Sequence, residues 1–175
     1  FDRFEEFFIW LEKTKFKTTF INSFDIIKWN IDKHYLKELI NKGINVAPTL
    51  FLKKGEQVTL SQLFKKTGWE KAVIKPAISG AARLTYKINN KNYVNTEEKF
   101  RNILDEESML FQEFQKSILT KGEVSLILIG GKYTHAVIKN AMPGDFRVQD
   151  DFGGTVKKHY ANKEEIELAV LMMLI

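Results

Sequence analysis

Ala72-Val73-Ile74-Lys75-Pro76 is an apolar strand that ends by delivering a lysine into a proline-stopped exit. Proline carries no backbone donor, so the ladder does not simply continue, and the Lys75 ammonium becomes a fixed point charge at the strand's end. Downstream, Phe111-Gln112-Glu113-Phe114 is a second apolar strand running into polar backbone. The pair suits a nucleotide: an ammonium for phosphate oxygens, then a short hinge whose backbone offers one acceptor and one donor to a flat base. Between them, Ile78-Ser79-Gly80-Ala81-Ala82 supplies small residues that let backbone N–H groups approach an anion. Taken alone, Lys75 reads first as a strand-capping lysine that snorkels to water.

Two later segments extend the pattern. Gln112-Glu113-Phe114-Gln115 sits where a strand ends, and Gly122-Glu123 opens the next. With residues 116–121 as a loop, the Glu123 carboxylate can accept from ribose hydroxyls; an ordinary surface glutamate is the competing reading. Gly144-Asp145-Phe146-Arg147-Val148-Gln149 is followed by Gly153-Gly154. Arg147, flanked by Phe146 and Val148, is expected on the polar face of a strand, where a guanidinium clamps a transferring phosphoryl group. A salt bridge to Asp145, Asp150 or Asp151 is the alternative. His34, His135 and His159 lack metal-ligand spacing. The sequence contains no Walker loop, no GxGxxG and no Gly-x-Ser-x-Gly elbow.

Composition narrows the class. A chain of 175 residues can build one sizeable core or two small lobes. No apolar run approaches the roughly 20 residues of a membrane span, and the opening residues are acidic and amphipathic rather than basic then apolar. Zero cysteines exclude disulfides, thiolate metal sites and a cysteine nucleophile. A cytoplasmic enzyme is the expectation. The net charge of +5 is spread over lysine doublets such as Lys53-Lys54, Lys65-Lys66 and Lys157-Lys158, with no basic cluster or aromatic interleaving that would mark a nucleic-acid surface.

Periodicity outlines the elements. Phe1, Phe4, Phe7, Phe8 and Leu11 recur at helical spacing. Phe20-Ile21-Asn22-Ser23 reads as a short buried strand. Asp32 can cap a helix from Lys33 to Lys42 that stops at Gly43, and Thr59 or Ser61 begins another ending near Gly68. Strands are expected at 46–52, 71–75, 84–88, 109–114, 124–129 and 132–139, with Gly130-Gly131 as a hairpin turn. A helix opens at Asn95-Thr96-Glu97-Glu98 and runs to Leu104, and Ala161-Asn162-Lys163-Glu164 starts a final one that runs to Ile175. Strands and helices alternate around a hairpin, which argues for α+β with antiparallel sheets. Both ends look cut.

In this order the motifs resemble ATP-grasp enzymes of the glutathione-synthetase-like branch, over roughly Asn22 to the end. Trp29-Asn30-Ile31-Asp32-Lys33-His34-Tyr35-Leu36 is similar to the family's approach to its first phosphate lysine, and Val46-Ala47-Pro48-Thr49 to its short proline-and-threonine strand. Val73-Ile74-Lys75-Pro76 resembles the second phosphate lysine, Ser79-Gly80 the mobile phosphate-covering loop, and Phe111 to Phe114 the adenine hinge. Glu123 matches the ribose-binding acid. Ser125 with Ala136-Val137-Ile138-Lys139, and the segment holding Arg147, resemble the lysine and arginine that face the reacting phosphoryl.

The resemblance implies an ATP-grasp fold of two α+β lobes enclosing a nucleotide cleft. Residues 1–31 would be a remnant of a preceding substrate domain, 32–108 the first lobe and 109–175 an incomplete second lobe. It implies ATP and Mg2+ as cofactors, Arg147 and Lys139 as catalytic residues, and Lys33, Lys75, Ser79, Gly80, Gln112, Glu113, Phe114, Gln115 and Glu123 as nucleotide contacts. The implied reaction joins a small-molecule carboxylate to an amine through an acyl phosphate, with no nucleic-acid or membrane partner; a homo-oligomer stays open. In the family, magnesium is held by acids on a later strand, yet no Asp or Glu follows Glu167, so the metal ligands stay unassigned. A non-catalytic nucleotide-binding or interaction module with the same fold is the rival reading.

Overall fold

The computed structural model describes residues 3–173. The chain forms two compact units, the first running to Phe114 and the second beginning at Gln115.

In the first unit, β1 (Thr49–Leu52), β2 (Lys71–Pro76), β3 (Tyr86–Asn89) and β4 (Met109–Glu113) form an antiparallel sheet in the order β1-β4-β2-β3. β4, expected at the head of the second lobe, lies between β1 and β2, and the first unit shows no break at Asp32. The correction has a simple cause: Leu110 and Phe111 are fully buried, and a strand buried on both faces belongs inside a sheet.

Alternation along the strands gives this sheet two different faces. Leu52, Ala72, Ile74, Ile88, Met109 and Phe111 join Leu60, Leu63 and Phe64 of α4 (Leu60–Thr67) and Phe100 and Leu104 of α5 (Val94–Glu106) in one core. Phe111 anchors it, stacked on Trp69 at 5.4 Å and edge-on to Phe64 at 5.2 Å. Thr59 caps α4 in a reciprocal capping box with Gln62, and Gly68 ends it in the left-handed region.

Thr49, Lys75 and Gln112 take the alternate positions, on the opposite face. His34 stacks on Phe51 of that face at 5.5 Å, just before α3 (Tyr35–Asn41). Helices α1 (Phe4–Thr14) and α2 (Phe24–Ile31) complete the unit. Phe1 lies outside the described residues. Phe20 to Ser23 is not a strand: Ile21 is fully exposed, and the Ser23 hydroxyl caps α2 by accepting from Ile26 N.

In the second unit, α6 (Ser117–Thr120) leads to an antiparallel meander of β5 (Glu123–Ile129), β6 (Lys132–Asn140) and β7 (Thr155–His159). Gly130 and Gly131 turn β5 into β6 with φ of 57° and 75°, the left-handed pair a tight hairpin requires. α7 (Lys163–Met173) packs on β5 and β6, its start fixed by reciprocal bonds between Asn162 and Glu165. Leu174 and Ile175 of the expected helix lie outside the described residues. No described helix is long and apolar enough to cross a membrane.

Candidate functional site

Two lysines dominate the second face of the first unit. Lys33 precedes α3 rather than opening it: an isolated bridge pairs Asp32 with Ile78, and Lys33 N donates to Ala77 O at 3.0 Å. The Asp32 carboxylate accepts from His34 N and contacts its Nδ1, so the helix begins at Tyr35. This tether aims the Lys33 side chain at the next loop, where Nζ donates to Ser79 O at 2.6 Å and Ala77 O at 3.3 Å. The Lys33 pKa is lowered to about 8, chiefly by burial and then by the Lys75 charge, with Asp32 and Glu107 opposing the shift. Two cations held this way present a field that favours an anion.

Lys75 Nζ donates to Gln112 Oε1 at 2.8 Å, Gln112 Nε2 donates to Thr49 Oγ1 at 2.8 Å, and that hydroxyl donates to Ala47 O at 2.7 Å. Gln112, expected among the nucleotide contacts, therefore spends its side chain on Lys75 and Thr49 while its backbone lies between β1 and β2. Glu113 N donates to Pro48 O at 2.9 Å, and Pro48 has no N–H to return the bond, so the β1 ladder ends there. Phe114 is buried, with its N–H on Lys71 O and Lys87 over its ring. Gln115 is exposed as the chain enters the second unit.

The loop after β2 is held from both sides. Ser79 Oγ donates to Arg83 O, Arg83 N donates to Gly80 O, and the Arg83 guanidinium pairs with Glu107 at 2.9 Å. The left-handed turn falls not on Gly80 but on Ala81, Ala82 and Leu84, with φ of 48°, 55° and 49°. Each such residue costs about 1–2 kcal/mol relative to its relaxed backbone.

In the second unit, Glu123 and Lys139 stand opposite one another across β5 and β6 and pair at 3.4 Å. The approach to Glu123 depends on Gly122: at φ 76°, a Cβ there would lie 2.5 Å from Lys139 O. Residues 116–121, expected as a loop, contain α6. Arg147 is not on a strand. Asp145 Oδ1 accepts from Phe146 N and Arg147 N, the donors a ladder would need, and the sheet takes its third strand from β7 instead. The Arg147 guanidinium forks onto the Asp145 carboxylate at 2.6 and 3.1 Å and stacks 3.7 Å from the Phe152 ring centre. Its hydrogen bonds hold the Asp145 carboxyl far below the usual carboxylate range, and the backbone donors add to this.

Among the described residues no group of three or more His, Asp or Glu could hold a metal ion, so these residues do not fit a Mg2+ site. Thr49 is the residue that sequence reasoning left without a role. Its signal was the Pro48-Thr49 pair, but its partner lies 63 residues away.

The geometry meets known proteins at this point. No family model matches the chain. Among curated proteins it is 24% identical over 145 residues to the cycloserine biosynthesis protein DcsG of Streptomyces lavendulae, covering 81% of this chain and 48% of that one. The chain thus spans about half the length of the curated relative it matches. Among solved structures, D-cycloserine synthetase DcsG superposes with a TM-score of 0.83 at 23% identity, covering 97% of this chain and 59% of that chain. D-alanine–D-alanine ligase from Bacillus anthracis gives 0.58 at 18% identity, over 82% and 48%. The ATP-grasp ligase PsnB, in a complex with Mg and ADP, gives 0.55 at 20%, over 81% and 40%. The chain has the ATP-grasp fold. Within that fold, the D-cycloserine synthetase structure is similar to this chain over nearly the whole of this chain's length.

Proposed function

We propose that this chain is the nucleotide-binding part of an ATP-dependent ligase that joins a carboxylate to an amine. The observation that carries the reading is the convergence of Lys33 and Lys75, half-buried, mutually repelling and held by neutral oxygens of Ala77, Ser79 and Gln112, within an ATP-grasp fold. Further support comes from the names of the relatives: a D-cycloserine synthetase, a D-alanine–D-alanine ligase and an ATP-grasp ligase.

In this reading a substrate carboxylate oxygen attacks the γ-phosphorus of ATP, the bond to the β-phosphate oxygen breaks, and ADP leaves. The amine nitrogen then attacks the acyl carbon, inorganic phosphate departs, and the nitrogen loses a proton as the amide forms. Lys33 and Lys75 neutralise phosphate oxygens, and the loop at Ser79 and Gly80 covers them. Glu113 to Gln115, whose Glu113 and Phe114 N–H groups are already spent on Pro48 O and Lys71 O, offer carbonyl oxygens and the Gln115 backbone to the adenine edge. Glu123 accepts from the ribose, Lys139 adds a cation, and Arg147 meets charge on the transferring group. Preorganised charge of this kind acts mainly by positioning and electrostatic stabilisation. Mg2+ has no ligand set among the described residues, so its role rests on likeness to the family alone. The acyl phosphate, kinship with glutathione synthetase and a cytoplasmic location belong to the same proposal.

The test uses the full-length protein. Calorimetry with ATP should show binding that Lys75→Ala weakens about ten-fold or more, while Lys65→Ala, on the exposed face of α4, leaves it unchanged. ADP release that depends on both a carboxylate and an amine supports the ligase. Binding without such turnover assigns the non-catalytic module, and loss of neither binding nor turnover in Lys75→Ala overturns the site.

A further inference from the structure

We propose that Gln112 is a positioning residue for the Lys75 ammonium, anchored in turn by Thr49; the inference rests on the nucleotide reading above. The argument starts from donor and acceptor chemistry. An ammonium can only donate, so the Gln112 amide must turn its oxygen toward Lys75, at 2.8 Å. That choice sends Nε2 to the other side, where Thr49 Oγ1 accepts at 2.8 Å. The hydroxyl then spends its proton on Ala47 O at 2.7 Å. Every atom in the series has one role, and none can reverse without breaking its neighbour's bond.

The sheet gives this series its rigidity. Gln112 sits on the central strand, directly opposite Thr49 on one side and Val73 on the other, and Lys75 lies two residues beyond Val73. Three neighbouring strands therefore contribute one side chain each on a single face. A lysine has a long, freely rotating stem, and fixing one of its three donors removes much of that freedom before a ligand arrives.

Amide chemistry matters here as much as geometry. A carboxylate at position 112 would also orient Lys75, but it would cancel its charge. A glutamine orients the cation and leaves the charge for an incoming phosphate. Lys33, whose ammonium is depressed partly by the Lys75 charge, reports that this charge is felt across the site.

The experiment measures ATP affinity and turnover in the full-length protein across six variants: Gln112→Leu, Gln112→Glu, Thr49→Val, Thr49→Ser, Lys75→Ala and the double variant Gln112→Leu/Lys75→Ala. Gln112→Leu is expected to weaken ATP binding about ten-fold, Thr49→Val about three-fold, and Thr49→Ser to bind as the wild type. In the Lys75→Ala background Gln112→Leu should add nothing further, a non-additivity that a purely structural role does not produce. Gln112→Glu should weaken binding and move the alkaline loss of affinity to higher pH, because the added carboxylate offsets part of the Lys75 charge that lowers the Lys33 pKa. If Lys75→Ala weakens ATP binding while Gln112→Leu and Thr49→Val bind normally, the positioning role is wrong and the nucleotide reading stands. If Lys75→Ala binds ATP like the wild type, both fall. Should Gln112→Leu not fold, the Thr49→Val and Thr49→Ser pair decides: equal affinities in the two overturn the proposal.

Discussion

Raising the pH from 7 to 9.5 should loosen ATP from the full-length protein through one side chain. Lys33 has a pKa lowered to about 8, chiefly by burial and then by Lys75. Bound phosphates reverse both penalties, returning the ammonium toward its ordinary value near 10.4. The sign follows directly. The complex prefers the protonated lysine, so affinity is full below pH 8 and falls as pH rises through it. One coupled proton gives about a 30-fold loss at pH 9.5, and solvent screening of a half-exposed group trims this to about 10- to 30-fold. Calorimetry in buffers of different ionisation enthalpy should show proton uptake on binding near pH 8. Lys33→Arg, which does not titrate here, should flatten the profile and abolish the uptake. A wild-type dissociation constant unchanged between pH 7 and 9.5, or a slope that survives in Lys33→Arg, would refute the reasoning.

Other outcomes can be checked with single substitutions. Arg147→Ala should reduce ADP release about 100-fold or more while changing ATP affinity less than about three-fold; a matched loss in both would make its fork onto Asp145 a structural brace. Gly122→Ala should lower stability by about 1–3 kcal/mol, read from the denaturant midpoint, because its methyl meets Lys139 O; an unchanged midpoint counts against the observed turn. Ala82→Gly should be neutral or stabilising by up to about 1 kcal/mol, whereas Ala82→Val should destabilise by more than that; equal midpoints would argue against a left-handed Ala82.

Much of the fold was legible because local chemistry agreed with it. Thr59 and Gly68 bracket α4 as their cap preferences require, and Gly130-Gly131 marks the hairpin. What stayed hidden was non-local or masked by competing bonds. Nothing in the sequence of β4 says that it lies between β1 and β2, since those pairings are set by burial of Leu110 and Phe111 across distant segments. The Phe146-Arg147-Val148 alternation imitates a strand, but Asp145 takes the N–H groups first. β7 went unread because Thr155, Val156, Lys157 and Lys158 are all exposed, and a lysine-bearing edge strand carries little apolar signal. The helix α2 was hidden by its β-branched Ile26 and Ile27, whose weak propensity is offset by the Ser23 cap. In the candidate site, Lys75 was readable as a lysine at a strand's end and Lys33 came only from the resemblance to a family, while the side-chain series through Thr49 depended on pairing no single segment contains.

The alternation of β4 also ties folding and chemistry to the same reading frame. Phe111 fills the core and Gln112, its neighbour, faces Lys75 on the other side. A shift of one residue along this strand would exchange them, putting an amide into an apolar core and a benzyl group beside an ammonium. The connection Glu107-Ser108 between α5 and β4 sets that frame, with Ser108 O accepting from Ala77 N and Ser108 Oγ from Lys54 N. An insertion or deletion of one residue there should therefore not yield a folded but inactive protein. Selection for a stable core would by itself preserve the alignment of the lysine, and chains that drift in loop length here should be lost rather than repurposed.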